Sequence, residues 1–210
     1  MLGLKSFSLL TVRALMAGWG TSGVIALIAT SSTVALIGPA SIDLPRVGTG
    51  GQVTSPLTSF CAWLVALAAL RSAVEPSATL FATAPRVAVY VNACRVSAVA
   101  GAGFVLLAML SDASAESIWC STTALVGQGL LYASVLGPSL SWLIPTTHLM
   151  VSSVMGAANR PDLAPWAWIL EPTPDAAQTV LSSSLFVLGL AAWVFRAQAI
   201  ARDTAASDLY

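Results

Sequence analysis

One histidine, three cysteines and a run of three serines are the side chains of this 210-residue sequence best equipped for ligand or nucleophile chemistry. His148 stands alone, so a haem, quinone or metal site would need ligands of other types beside it. In a Ser/Thr-rich stretch a lone imidazole more often hydrogen bonds a neighbour. Cys61, Cys94 and Cys120 fall singly in three separate apolar stretches with no CxxC spacing, and read as small packing residues rather than ligands or a disulfide. Ser182, Ser183 and Ser184 would need a base beside one of them, and nothing in the sequence marks one. A proton relay inside an apolar region needs carboxylates that titrate there, yet all nine Asp and Glu map to loops, segment ends or the C-terminal tail. No Walker motif is present, so the chain does not hydrolyse ATP by itself. The sequence therefore assigns no catalytic residue, no metal ligand and no cofactor. Gln128, Pro145 and His148 interrupt one otherwise apolar stretch, and Gln128 and His148 are candidates for the lining of a pathway or gate.

The surroundings that must position these residues are lipid. With 57% hydrophobic residues, 9% charged residues and a mean hydropathy of +0.83, the chain has too few charges to coat a soluble globule of this size. Net charge is zero, which argues against nucleic acid or an acidic soluble partner, because both call for a basic field. The pattern predicts an all-α polytopic membrane protein of one domain with six transmembrane helices. Lys5 and Arg13 among apolar residues mark an interfacial helix over 2–14. Spans are expected at about 15–38, 57–74, 90–110, 118–135, 139–155 and 179–195. The first is too long for a signal peptide's apolar core, and no clean small-residue cleavage site follows it. Gly18, Gly20 and Gly23 give it a face that a neighbouring helix can approach closely. Pro39 ends it, and the Gly-, Pro- and Ser-rich stretch to Pro56 reads as a loop. Ile118 to Met155 are 38 residues without a charge, roughly twice the length needed to cross the hydrocarbon core, so two spans fit with a turn at Gly137 and Pro138. A re-entrant pair that never fully crosses is the other way to fold that stretch.

The basic residues orient this arrangement. With both termini cytoplasmic, Lys5, Arg13, Arg71, Arg86, Arg95, Arg196 and Arg202 lie inside and only Arg46 and Arg160 outside, which satisfies the positive-inside rule. Arg95 then sits about one turn within the third span and must snorkel or find a partner. The inner segment 75–89 combines Glu75, two prolines and Arg86, and should touch water, headgroups or a partner protein. The outer segment 156–178 carries four prolines and the run from Pro165 to Glu171, in which Trp166 and Trp168 look like an interfacial anchor. The Ala- and Ser-rich composition with a single Lys suggests a bacterial plasma membrane.

In layout the chain resembles the membrane (permease) subunit of a type-2 ATP-binding cassette exporter. The resemblance rests on an interfacial helix before six spans, and on Glu75, Thr79, Leu80, Pro85, Arg86 and Arg95 in the order of that family's inner coupling segment. Phe195, Arg196, Arg202 and Asp203 resemble the end of its last span. The loop is shorter than the family's between the acid and the proline, Ala78 stands where Gly would precede Thr79, and Arg95 replaces Lys. The resemblance implies coupling of 75–89 to separate ATPase subunits that bind ATP and Mg, and a second permease half. It also implies an amphipathic or apolar substrate such as a drug, peptide or lipid, with Trp166, Trp168 and Glu171 near an outer gate. Two other classes fit the same composition: a non-catalytic assembly or anchoring subunit of a respiratory or secretion complex, and an intramembrane enzyme. The last predicts that polar groups converge in space around Gln128 and His148.

Overall fold

The computed structural model describes residues 41–45, 52–74, 85–156 and 164–207, with side chains over 57–73, 89–156 and 164–198. The expected interfacial helix, the first span, and Glu75, Thr79 and Leu80 of the inner segment lie outside the described residues.

Most of the described chain is helical, in line with the expected class, and one short antiparallel hairpin stands where a loop was read. Strand β1 (Ser41–Pro45) pairs with β2 (Gln52–Pro56) in the register Ser41 to Pro56 and Pro45 to Gln52. Each proline occupies a strand end, where its missing N–H costs the ladder least. Helix α1 (Leu57–Val74) follows directly and keeps the expected span boundaries. Helix α2 (Pro85–Leu110) begins five residues before the expected span, so Pro85 and Arg86 form its first turn instead of part of a separate inner segment. Pro85 suits that place because a first-turn N–H has no intrahelical partner. Helix α3 (Ala115–Leu136) starts at an N-cap Ser114, whose hydroxyl accepts from the Ser117 amide. It ends at Gly137, whose φ of 97° is open to glycine and closed to most side chains, and whose N–H caps the Ala133 carbonyl.

The expected fifth span does not form as one helix. A 3-10 turn (Pro138–Leu140) leads into α4 (Leu143–Met155), and a further 3-10 helix (Pro165–Leu170) completes the return before α5 (Ala176–Ser207). Thirteen residues of α-helix reach about 20 Å, short of a hydrocarbon core of about 30 Å. Pro145 stands in the first turn of α4 and would break a helix continued from before it. Among the described residues two helices are long and apolar enough to cross a membrane, Val89–Leu110 and Ala176–Gln198, and Leu57–Ala73 is a shorter apolar helix. Helix α3 matches them in length but is more polar. Helix α5 runs beyond the expected span end at 195 and takes Arg196 and Arg202 into its last turns. A capping box opens it: the Asp175 carboxylate accepts from the Gln178 amide at 2.7 Å, and the Gln178 side chain accepts from the Asp175 amide at 3.0 Å.

Among the described residues four helices pack together, with α1, α3 and α5 running parallel and α2 running against them. Trp119 lies against Ser183, Cys120 against Thr179 and the Ser134 carbonyl against Arg196, fixing α3 beside α5. Cys61, Ala62 and Val65 of α1 cluster with Leu107 of α2 and Ile118 of α3 at the end where the three parallel helices start, here called the upper end. Tyr90 meets Gln198 at the lower end. The larger core joins Ala66, Ala69 and Leu70 of α1, Val96 and Val99 of α2, and Ala124, Leu125, Val126 and Leu130 of α3. Helix α3 is the centre of the bundle and is buried on most of its faces, so its neighbours are protein and its hydroxyls are tolerated. Thr123, for example, donates to the Trp119 carbonyl one turn back at 2.7 Å.

The tightest contact in the bundle is backbone on backbone. A methyl group at Gly127 would lie 2.5 Å from the main chain of Leu185, and one at Gly189 would run into the Gly127 carbonyl. This pair of glycines lets α3 and α5 approach as small-residue crossings do in bilayers. Outward from it, α5 exposes Val180, Leu181, Val187, Leu188 and Phe195, spaced to line one stripe of the helix.

Candidate functional site

The break between α3 and α5 brings several polar and aromatic side chains together. Ser114, Ser117 and Ser121 stand three and four residues apart, which places them on one face at the start of α3. Each donates to the chain that leaves the Pro165–Leu170 helix: Ser121 to the Ile169 carbonyl at 2.8 Å, Ser117 to Glu171 at 2.9 Å and Ser114 to Pro172 at 3.0 Å. Ser59 of α1 reaches the same Ile169 carbonyl at 3.5 Å, a much weaker contact. These carbonyls lie at or beyond the end of the Pro165–Leu170 helix, where no further turn pairs them, and the hydroxyls supply what a continuous helix would have supplied. Ala167, Trp168, Ile169 and Leu170 are buried.

His148, at the middle of α4, ties three elements together. Its Nε2 lies 3.0 Å from the Trp166 carbonyl oxygen, and its Nδ1 faces the side-chain amide of Gln128 on α3. A carbonyl only accepts, so Nε2 carries the hydrogen; in the neutral ring Nδ1 is bare and accepts from the Gln128 amide nitrogen at 2.8 Å. The Trp168 ring lies edge-on to the imidazole, 6.1 Å between centroids. Nearby on α4, Thr146 accepts from the Trp63 indole at 3.0 Å and donates to the Trp142 carbonyl, linking α4 to α1. Ser152, one turn beyond His148 on the same face, is buried and its hydroxyl has no hydrogen-bond partner among the described residues; the hydroxyls of Ser153 and Thr122 share that state. A buried hydroxyl left without a partner forfeits about 1–3 kcal/mol, so such groups mark places where a water or ligand can be bound.

The residues proposed from sequence divide accordingly. Gln128 and His148 are brought together. Trp166 is 43% exposed and contributes its carbonyl, whereas Trp168, at 9%, packs in the core rather than anchoring at an interface. Glu171 contributes its main chain to the serine ladder. Pro85 and Arg86 open α2, away from this cluster in sequence and at the opposite end of the bundle. Arg95 does not snorkel: it is 1% exposed and donates to the Asn92 side chain at 3.1 Å. Sequence reasoning missed Trp63, Thr146 and the three serines of α3. The serines had a legible signal in their helical spacing; Trp63 had none, since its partner lies 83 residues away. Among the described residues no group of His, Cys, Asp and Glu converges to hold a metal.

The chemistry available here is hydrogen bonding at one imidazole, backed by hydroxyls and flanked by indoles. No family model, curated protein or solved structure matches the chain.

Proposed function

We propose that this chain is a polytopic plasma-membrane protein with both termini cytoplasmic, acting as the permease subunit of a transporter whose energy comes from a partner ATPase. The observation that carries the reading is the interrupted return between α3 and α5, with Gln128, His148 and the partnerless Ser152 hydroxyl at the interruption. Broken helices at membrane depth are where transporters place substrate sites, because freed backbone and polar side chains there meet something other than lipid. The exposed apolar stripe of α5 supports a lipid surround. The order of Glu75, Thr79, Leu80, Pro85, Arg86 and Arg95 supports coupling to an ATP-binding cassette subunit, which would carry ATP and Mg. A second permease half completes the pathway, and the substrate class is an amphipathic or apolar molecule.

The test is to purify the tagged protein gently solubilised, identify co-purifying subunits by mass and assay ATP hydrolysis. A Walker-motif ATPase recovered at about one copy per chain supports the reading, and Arg86→Glu should then abolish its stimulation while insertion persists. Recovery of redox or secretion subunits with no ATPase overturns it in favour of an assembly subunit. One observation favours that second reading: Arg95 and the serine ladder are spent on internal contacts, as in a packing scaffold.

A further inference from the structure

We propose that the seam between the start of α2 and the end of α5 binds one anionic phospholipid, with its phosphodiester at Arg86 and Arg202 and an acyl chain along the exposed stripe of α5. The inference rests on the lipid surround of α5 and on nothing in the transport mechanism, so it applies equally to an assembly subunit.

Three observations carry it. First, the stripe ends in a cation. Leu181, Leu188 and Phe195 are exposed and follow one another at intervals of seven residues, which in an α-helix drift by only about 20° per step. The next position in that series is Arg202, still within α5. From Leu188 to Arg202 the helix rises about 21 Å, close to the depth of one leaflet with its headgroups. An apolar line of that length closed by a positive charge matches a phospholipid in order, hydrocarbon first and phosphate last.

Second, the neighbouring helix brings another arginine to the same level. Helices α2 and α5 run antiparallel, and the Gln198 side-chain amide donates to the Tyr90 hydroxyl at 3.3 Å. Arg86 stands one turn before Tyr90 on α2 and Arg202 one turn after Gln198 on α5, so both positions lie about 6 Å beyond that contact, on the faces that carry it. Like charges at facing positions are unfavourable unless an anion lies between them. A phosphodiester suits the place, because a guanidinium pairs with phosphate oxygens in a bidentate fork.

Third, the rim of the seam has the character of a headgroup region. Tyr90 is exposed one turn above the two arginine positions, and tyrosine settles at that depth with its ring toward hydrocarbon and its hydroxyl toward water. Arg196 is engaged elsewhere and donates to the Ser134 carbonyl of α3. Asp203 follows Arg202 directly, and adjacent helical positions do not share a face, so these two residues are not a ready-made pair.

Charge selects the headgroup. A zwitterionic lipid carries a cation of its own beside the phosphate, which two arginines oppose, whereas phosphatidylglycerol carries none. Each arginine near an anionic surface favours it about five-fold, so a pair should give a preference of about ten-fold or more.

The test reconstitutes the full-length protein in nanodiscs of phosphatidylglycerol and phosphatidylcholine in equal parts and reads the lipid kept on the protein by native mass spectrometry. The expected result is one retained phosphatidylglycerol, preferred about ten-fold or more. Arg86→Gln and Arg202→Gln should each lower that preference about five-fold, while Arg202→Lys, which keeps the charge and reports that the fold survives substitution there, should keep most of it. Arg71→Gln removes the same charge from the last turn of α1 and should leave the preference within about two-fold. Inorganic phosphate at millimolar concentration should neither bind nor displace the lipid. Equal retention of the two lipids, an undiminished preference in Arg86→Gln or Arg202→Gln, an equal fall with Arg71→Gln, or phosphate bound in place of lipid would each overturn the site while leaving the membrane reading in place. A chain that enters neither lipid would overturn both.

Discussion

At the residue scale, the glycines show how unequal chemically identical positions are. Gly127 and Gly189 lie where two backbones touch, whereas a methyl at Gly101 of α2 would meet nothing within 4 Å. Gly189→Ala should therefore destabilise the bundle by about 1–3 kcal/mol, as overpacking of a filled interior does. Gly101→Ala should instead be neutral or stabilising by up to about 1 kcal/mol, because it only removes helix-interior glycine entropy. Thermal unfolding in one detergent reads both, and equal behaviour would contradict the α3–α5 contact. Cysteine reactivity gives a second check. Cys94 is exposed while Cys61 and Cys120 are buried, so a small membrane-permeant thiol reagent should modify Cys94 first and the others only after unfolding. Residue identity was readable in the sequence; residue partnership was not. Gln128 and His148 stood out as polar interruptions, but no periodicity connects positions 20 residues apart on different elements, and the Trp166 carbonyl that completes the node has no sequence signature at all.

At the element scale, apolar composition located α1, α2, α3 and α5 because length and hydropathy decide whether a helix can cross lipid. It failed between 137 and 175 because hydropathy reports composition and not continuity. The signs of interruption were present: Pro138, Pro145 and Pro165 each sit in a first turn, and Gly137 adopts a conformation that stops a helix. The hairpin was legible in principle too. Ile42 and Leu44 alternate with polar neighbours, and the intervening residues include Gly48, Gly50 and Gly51. The broken return depends on its serine ladder, and the bond lengths rank the rungs. Ser121→Ala should loosen the Pro165–Leu170 helix and cost about 1 kcal/mol, since it removes a 2.8 Å bond to Ile169. Ser59→Ala, removing only a 3.5 Å contact, should cost less than half of that. The double variant should exceed the sum, because the buried carbonyl then has neither donor. Limited proteolysis near 164–172 with denaturant titration of the three variants measures the ranking.

At the scale of the whole molecule, the surface decides the solvent. Val187, Leu188 and Phe195 stand on the outer face of α5 at 62%, 59% and 71% exposure. Val187→Lys should cost about 2.5–3.5 kcal/mol of insertion energy if that face meets the bilayer centre. A chain that becomes extractable without detergent and keeps its fold would instead place this face in water. The parallel course of α1, α3 and α5 has an electrical consequence as well. Every helix carries partial positive charge at its start and partial negative charge at its end, so among the described helices three aligned against one reversed leave a polarisation along their common axis. Glu116 and Asp175 stand at the positive ends of α3 and α5, while Arg71 occupies the last turn of α1 and Arg196 and Arg202 the later turns of α5. The basic end is the one the positive-inside rule would hold in the cytoplasm. Two unrelated demands, compensation of the peptide field and retention of arginine during insertion, thus select the same end of the molecule. An inverted chain would have to satisfy both against its own backbone.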